Sequence, residues 1–247
     1  MTTYAVNLYR FTDDPAAMIA FYQALGLCMR VTSGDGRFAL LQAGAGWVAV
    51  HPAEGSDTGA TPGETQLVFL VEDGDAAAAA SDLQSKGLQT RVWDESYGRH
   101  AVVRTPLGSN VWINEHQDDL YGYRAHPEGQ PGPIQVCAIH FSADFARDAA
   151  WFAHLGLRPV GEGDAWWQAL DGGHGRVGLH HVDPGHPECT AETATVDAGF
   201  ETPEPLADVV ARLWAAGYPA ELVTDEFLTA VHVADPDGRL VQVHALS

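Results

Sequence analysis

The chain repeats itself. Leu25-Gly26-Leu27 returns as Leu155-Gly156-Leu157, Gly87 as Gly217, and the turn Thr105-Pro106-Leu107-Gly108 as Asp235-Pro236-Asp237-Gly238, always 130 residues later. Glycine and proline punctuate backbone structure, so punctuators that hold their spacing mark a tandem copy of one fold. Whatever the protein does must then be read from matched positions at which the copies differ.

Each copy reads as two similar modules of strand, helix and three strands. Tyr4 to Phe11 alternates like a strand, and Asp13-Asp14-Pro15 supplies helix-start chemistry. Ala17, Ile19, Ala20, Phe21 and Leu25 are expected on one buried helix face, with Gly26 as the stop. Strands follow near 27–32, 37–42 and 47–51. The second module predicts strands at 65–72, 90–94, 100–104 and 110–115 around a helix from about 75 to 86. The third predicts a helix at 145–155, the fourth one at 203–216. Domains are expected at 1–117 and 134–247, joined by a Pro- and Gly-rich linker at 118–133.

Composition removes several classes of function. Thirteen Lys and Arg against 33 Asp and Glu leave a net charge of −20, which repels nucleic-acid phosphates and anionic lipid. No apolar run approaches the roughly 18 residues of a membrane span, and no basic-then-apolar leader opens the chain, so a cytoplasmic protein is expected. Cys28, Cys137 and Cys189 are odd in number and widely spaced, unlike a disulfide framework or a structural zinc site. Nucleophile-elbow, phosphate-loop and dinucleotide fingerprints are all missing.

Four βαβββ modules, the run Phe21-Tyr22-x-x-Leu25-Gly26-Leu27 and the Asp235-Pro236-Asp237-Gly238 turn resemble the vicinal-oxygen-chelate superfamily, which contains glyoxalase I, bleomycin-resistance proteins and extradiol dioxygenases. The resemblance implies an α+β fold: a tandem duplication of paired βαβββ units, four in all, with cupped mixed sheets and helices outside.

Strand alternation then selects the residues facing each cup. Val48 and Val50 form an apolar face under a helix, leaving Trp47, Ala49 and His51 toward the cup. Val177 and Leu179 similarly leave Gly178 and His180. Val111 and Ile113 leave Trp112 and Asn114, Val241 and Val243 leave Gln242 and His244, and Val6 and Leu8 leave Asn7 and Tyr9. Cys137 and Ile139 are the repeat partners of Asn7 and Tyr9.

Metal-dependent relatives carry ligands on the first, fourth, fifth and last strand of a cup. By that resemblance the first cup offers Asn7, His51, Gln66 and Trp112, and the second offers Cys137, His180, a residue near Thr195, and Gln242. A divalent site needs several imidazole or anionic donors, so the first cup is expected to be metal-free. In the second, His180, Gln242 and His244 are the residues for one divalent ion if any is held. Adjacent His180 and His181 cannot both face the cup, and His140 has the wrong parity to join Cys137.

Tyr9, Trp47 and Trp112, with Trp93 and Tyr97 nearby and Trp166 and Trp167 in the second copy, read either as packing or as a wall for stacking flat or cationic ligands. Asn7, His51 and Gln66 add polar groups to that wall, and the cup-facing Asn114, Cys137, His180, Gln242 and His244 complete the candidate ligand-binding set. The reading preferred from sequence is a protein without a cofactor, monomer or homodimer, that binds a small planar, aromatic or cationic molecule such as an antibiotic or secondary metabolite. It would act by sequestration, as the bleomycin-resistance branch does. The alternatives are a divalent-metal lyase, isomerase or dioxygenase using the second cup, a metal-free isomerase or cyclase with His51 or His180 as general base, and a copy kept for structural support.

Overall fold

A computed structural model describes residues 2–95, 98–116, 121–224 and 228–246. Tyr97 lies outside the described residues, as do 118–120 of the expected linker.

The four modules are present. The first comprises β1 (Tyr4–Thr12), α1 (Pro15–Leu25), β2 (Cys28–Ser33), β3 (Ala39–Gln42) and β4 (Trp47–Pro52). The second comprises β5 (Thr65–Val71), α2 (Ala76–Ser85), β6 (Thr90–Glu95), β7 (Gly98–Arg104) and β8 (Asn110–Asn114). After β9 (Tyr123–Ala125) comes the third, with β10 (Gln135–Ser142), α3 (Phe145–Phe152), β11 (Arg158–Val160), β12 (Trp167–Asp171) and β13 (Arg176–His181). The fourth comprises β14 (Asp197–Thr202), α4 (Leu206–Ala215), β15 (Ala220–Thr224), β16 (Thr229–Ala234) and β17 (Leu240–Ala245).

Each half of the sequence builds its own sheet. The first runs β6-β7-β8-β5-β1-β4-β3-β2-β9 and the second β11-β12-β13-β10-β14-β17-β16-β15. Both are mixed, with β5 parallel to β8 and β14 parallel to β17 beside antiparallel hairpins. This is the α+β tandem duplication expected from the sequence. One difference lies in the connector, where Tyr123–Ala125 pairs antiparallel with β2 and adds a ninth strand.

Local chemistry accounts for the helices. Asp14 caps α1 by accepting from the Ala17 N–H, Pro15 occupies its first turn, and Gly26 ends it at φ 117°, a left-handed conformation that costs an L side chain energy. Its buried stripe is Met18, Phe21, Tyr22 and Leu25, with i, i+3, i+4, i+7 spacing. The expected face was therefore out of phase at Ile19 and Ala20, which are half-buried and exposed. Asp75 and Asp144 cap α2 and α3 in the same way.

The chain gathers into two compact units that each draw on both halves. The first holds Met1–Leu8, Gln66–Tyr121 and Ala138–Asp197; the second holds Tyr9–Thr65, Gly122–Cys137 and Ala198–Ser247. In the first, Phe69 meets Phe152 at 6.5 Å and the Trp151 indole donates to the Arg104 carbonyl at 3.0 Å. In the second, Tyr22 meets Phe200 at 6.0 Å, Phe21 meets Tyr218 at 5.2 Å, and α1 packs on α4. Each such ring contributes about 1.5–3 kcal/mol through burial. No helix among the described residues is long and apolar enough to cross a membrane.

Candidate functional site

In the first compact unit, helix contacts decide which sheet face is which. The Tyr4 hydroxyl reaches the Ala79 carbonyl and Asp82 of α2, and Thr90 reaches Ala80. Tyr4, Val6 and Leu8 therefore lie on the helix face, and Asn7 on the opposite one. Thr90 pairs with Val103, which puts Arg91, Trp93, His100 and Val102 on Asn7's face. Pairing of Val102 with Trp112, His100 with Asn114, Val68 with Trp112 and Leu70 with Asn114 carries the same face across β7, β8 and β5.

That inner face holds the residues expected there from sequence: Asn7, Gln66, Trp112 and Asn114. Asn7 and Gln66 are almost fully buried, and Trp112 and Asn114 half-buried. Asn7 Oδ1 and Asn114 Nδ2 are shielded from solvent and have no hydrogen-bond partner among the described residues. Trp93 stands edge-on to buried His100 at 4.9 Å, with the Arg91 guanidinium 5.3 Å from its ring centre. Sequence reasoning missed His100, although one more hairpin register would have placed it beside Asn114.

A ring cluster occupies the inner face of the second compact unit. His51 lies 4.5 Å from Tyr9, 4.9 Å from Phe38 and 5.5 Å from Phe11, while Phe38 meets Tyr123 edge-on at 5.8 Å. Ala53 and Ala60 pack beneath Phe11. His51 Nε2 is shielded and has no hydrogen-bond partner among the described residues. Burial among these rings lowers the imidazole pKa to about 4, so the ring is neutral at physiological pH. Parity placed Tyr9 and His51 together correctly and missed Phe11, Phe38 and Tyr123. Trp47 is buried on the same face, paired with Gln42.

The second copy's residues divide between the units. His180, in the first unit, is exposed, with its Nδ1 3.1 Å from the His181 carbonyl and its ring 6.0 Å from Phe141. His181 turns the other way, toward Trp166 and Phe145, as alternation requires. A Cβ at Gly178 would fall 1.9 Å from the Trp167 ring, so that indole lies across the glycine. His140 meets Asp148 at 3.8 Å, and the Thr195 hydroxyl donates to Glu188. Burial raises the Asp148 pKa, but hydrogen bonds from His140, Arg147 and Ser142 outweigh it and hold the carboxyl well below its ordinary range.

Cys137, Gln242 and His244 belong to the second unit, where His244 Nε2 lies 3.2 Å from Gln242 Oε1 and His232 pairs with Gln242. Burial, then neighbouring His232, lowers the His244 pKa. His180 thus falls in a different unit from the Gln242 and His244 grouped with it for an ion.

Two further features belong to the second unit. Arg10 is buried and ion-paired to Asp235, with Asp237 at 3.2 Å, while Thr12 donates to Asp237 at 2.8 Å. A groove of about 420 Å³ is lined by Gln23, Cys28, Met29, Gln130 and Arg212 with neighbouring backbone; Arg212 is already engaged by Glu204 at 2.8 Å.

Among the described residues no three His, Cys, Asp or Glu side chains converge as ligands. The first-copy positions implied by resemblance carry two amides, one imidazole and an indole.

Residues 5–113, the first copy, match the family model described as Glyoxalase/Bleomycin resistance protein/Dioxygenase superfamily. The whole chain resembles solved dioxygenases in fold. The 2,3-dioxygenase of Pseudomonas sp. KL28 superposes with TM-score 0.63 at 12% identity, covering 100% of this chain and 92% of that one. A halotolerant catechol dioxygenase gives 0.59 at 14%, covering 99% and 86%. The 2,2',3-trihydroxybiphenyl 1,2-dioxygenase of Sphingomonas wittichii gives 0.60 at 13%, covering 99% and 90%. At such identities the likeness is one of fold. Comparison with curated proteins gives no match.

Proposed function

We propose that the protein is a metal-free binder of small planar aromatic molecules, acting in the cytoplasm by sequestration. The observation that carries this reading is the ring cluster of Tyr9, Phe11, Phe38 and Tyr123 around a neutral imidazole whose Nε2 is shielded and without a partner. Aromatic faces hold flat ligands by offset stacking, and a few polar atoms set their orientation. A pKa near 4 makes His51 a weak general base at neutral pH, which favours binding over proton transfer. The family-model match over residues 5–113 is compatible with binding and with catalysis. Against the dioxygenase likeness stands the donor set of the described residues, in which no three His, Cys, Asp or Glu side chains converge.

The test is tryptophan quenching with a panel of planar antibiotics and dyes, followed by recovery of the bound compound, beside elemental analysis of the protein after incubation with divalent metals. Micromolar quenching with the compound recovered unchanged is expected. Turnover of the compound, with about one ion retained per chain, would overturn the proposal.

A further inference from the structure

The ring cluster of the second compact unit is closed on itself. From the His51 centre the rings of Tyr9, Phe38 and Phe11 stand 4.5, 4.9 and 5.5 Å away, and Tyr123 stands 5.8 Å from Phe38. Carbon atoms in contact lie about 3.5–4 Å apart, so a flat ligand held between two rings needs roughly 7 Å between them. A planar molecule that enters the cluster must therefore displace one of its rings.

The rings are not equally anchored. Tyr9 and Phe11 stand on β1 and His51 on β4, strands with a neighbour on each side, and Phe38 leads directly into β3. Tyr123 stands on β9, a three-residue strand at the sheet edge whose Arg124 and Ala125 are exposed. Its partner is β2, with Ser33 opposite Tyr123 and Thr32 opposite Arg124. Ser33 also donates its backbone N–H to the Phe38 carbonyl at 3.0 Å, which brings Phe38 within reach of Tyr123. Short segments with few buried contacts open at the low end of a protein's local stabilities, so Tyr123 is the ring that moves.

One side chain of β2 grips the chain just beyond β9. Arg30 Nη1 lies 3.5, 3.4, 3.3 and 3.3 Å from the carbonyls of His126, Pro127, Glu128 and Gly129, and its Nε donates to Gln42 Oε1 at 2.8 Å. His126 donates its backbone N–H to the Arg30 carbonyl at 2.7 Å and sets its Nε2 2.9 Å from the Thr32 hydroxyl. Gly122 and Gly129 bracket this segment at φ 80° and 84°, where a chain can turn as a hinge.

We propose that β9 is a gate over the planar-ligand site. Arg30 is its latch, and Tyr123 fills the place against Phe38 that a bound ring takes when the strand swings away. The inference rests on the binding function proposed above and adds the regulation of its site.

The test locks the gate in the full chain. Thr32→Cys with Arg124→Cys joins directly paired residues, whose Cα atoms in an antiparallel ladder lie about 4.5–5.5 Å apart, within disulfide reach. Proflavine and 1-naphthol are mixed with the oxidised and the reduced variant, and tryptophan quenching is followed by stopped flow. The unaltered protein under the same oxidant controls for Cys28, Cys137 and Cys189. The lock should slow association at least tenfold and reduction should restore it, a recovery that a misfolded variant would not show. Tyr123→Ala should bind the probes about tenfold more tightly, because the chain's own ring no longer competes; a fixed wall would give the opposite sign. In hydrogen exchange, the amides of 123–126 should open at least tenfold faster in Arg30→Ala, with those of β4 unchanged. Equal association with the lock closed and open overturns the gate and leaves the binder. So does exchange at β9 as slow as at β4 in the unaltered protein. If neither probe binds the reduced variant or the unaltered protein, the binding function falls and the gate with it.

Discussion

Two aromatic–histidine pairs, one in each copy, resolve the same strand position differently. Phe38 and His51 lie 129 residues before Trp167 and His180, and Trp167 pairs directly with His180 in its hairpin. His51 is enclosed by Tyr9, Phe11 and Phe38, and Tyr123 of the added strand backs Phe38. His180 is exposed, and Trp167 lies across Gly178. Ile139 stands where the first copy has Tyr9, and Gly178 where it has Ala49. Duplication supplies two equivalent faces; a larger ring and a borrowed connector strand turn one into an enclosed cluster, while the other keeps its imidazole in water.

The largest expected asymmetry is one repeat apart at Arg10 and His140. Arg10 is the cation that Asp235 and Asp237 face inside the second unit. Removing one partner of a buried pair strands the other's charge, at about 3–5 kcal/mol. Arg10→Leu should therefore lower the urea midpoint by that equivalent. His140→Leu should cost about 1 kcal/mol, because Arg147 and Ser142 still hold Asp148 at 2.8 and 2.6 Å. Equal losses in the two variants would remove the distinction between the copies.

Next in size is the pH effect of His51. Its folded pKa of about 4 is depressed from 6.5, so the unfolded chain binds the extra proton first. The stability this neutral ring permits is complete above about pH 6.5 and declines as pH falls toward 4. Its size is about 3 kcal/mol, at 1.36 kcal/mol per pKa unit. Chemical denaturation between pH 7 and 4, compared with His51→Leu, isolates the term; the variant should lose this part of the acid dependence. An NMR titration placing the His51 midpoint near 6.5 would instead mean that the ring cluster stands open to water.

The repeat, and with it the fold, was legible because Gly and Pro report backbone conformation directly. Parity put Asn7, Tyr9, His51, Trp112 and Asn114 on the faces away from the helices because side-chain alternation is local, but the first cup they were expected to share is divided, with Asn7, Trp112 and Asn114 in one unit and Tyr9 and His51 in the other. What stayed hidden was register and distance. Phe38 joins His51 only once the β3–β4 hairpin is paired, and Tyr123 only once a Pro- and Gly-rich connector adds an edge strand. Arg10 gave no local hint that its partner lies 225 residues away in the other copy. A signal did exist, since the matched turn Thr105-Pro106-Leu107-Gly108 lacks both acids.

A third difference concerns the floor under Trp167. Adding a methyl at Gly178 would drive the indole off its seat, and overpacking of this kind costs about 1–3 kcal/mol. Gly178→Ala should lower the melting temperature and raise Trp167 exposure to a collisional quencher. The reciprocal Ala49→Gly should cost only about 0.5–1 kcal/mol through backbone freedom.

The smallest expected effect separates the two histidines most cleanly. His180 is exposed, and its one polar contact among the described residues is to the neighbouring carbonyl, so His180→Ala should change stability by less than about 0.5 kcal/mol. In the proposed binder it should also leave planar-ligand affinity unchanged, because the enclosed ring belongs to the first copy. His51→Ala, which removes a ring wedged among three aromatic neighbours, should weaken such ligands severalfold or more. If His180→Ala instead abolished ligand affinity or retention of an added divalent ion, the working face would be that of the second copy, and the enclosed first copy would be its structural support.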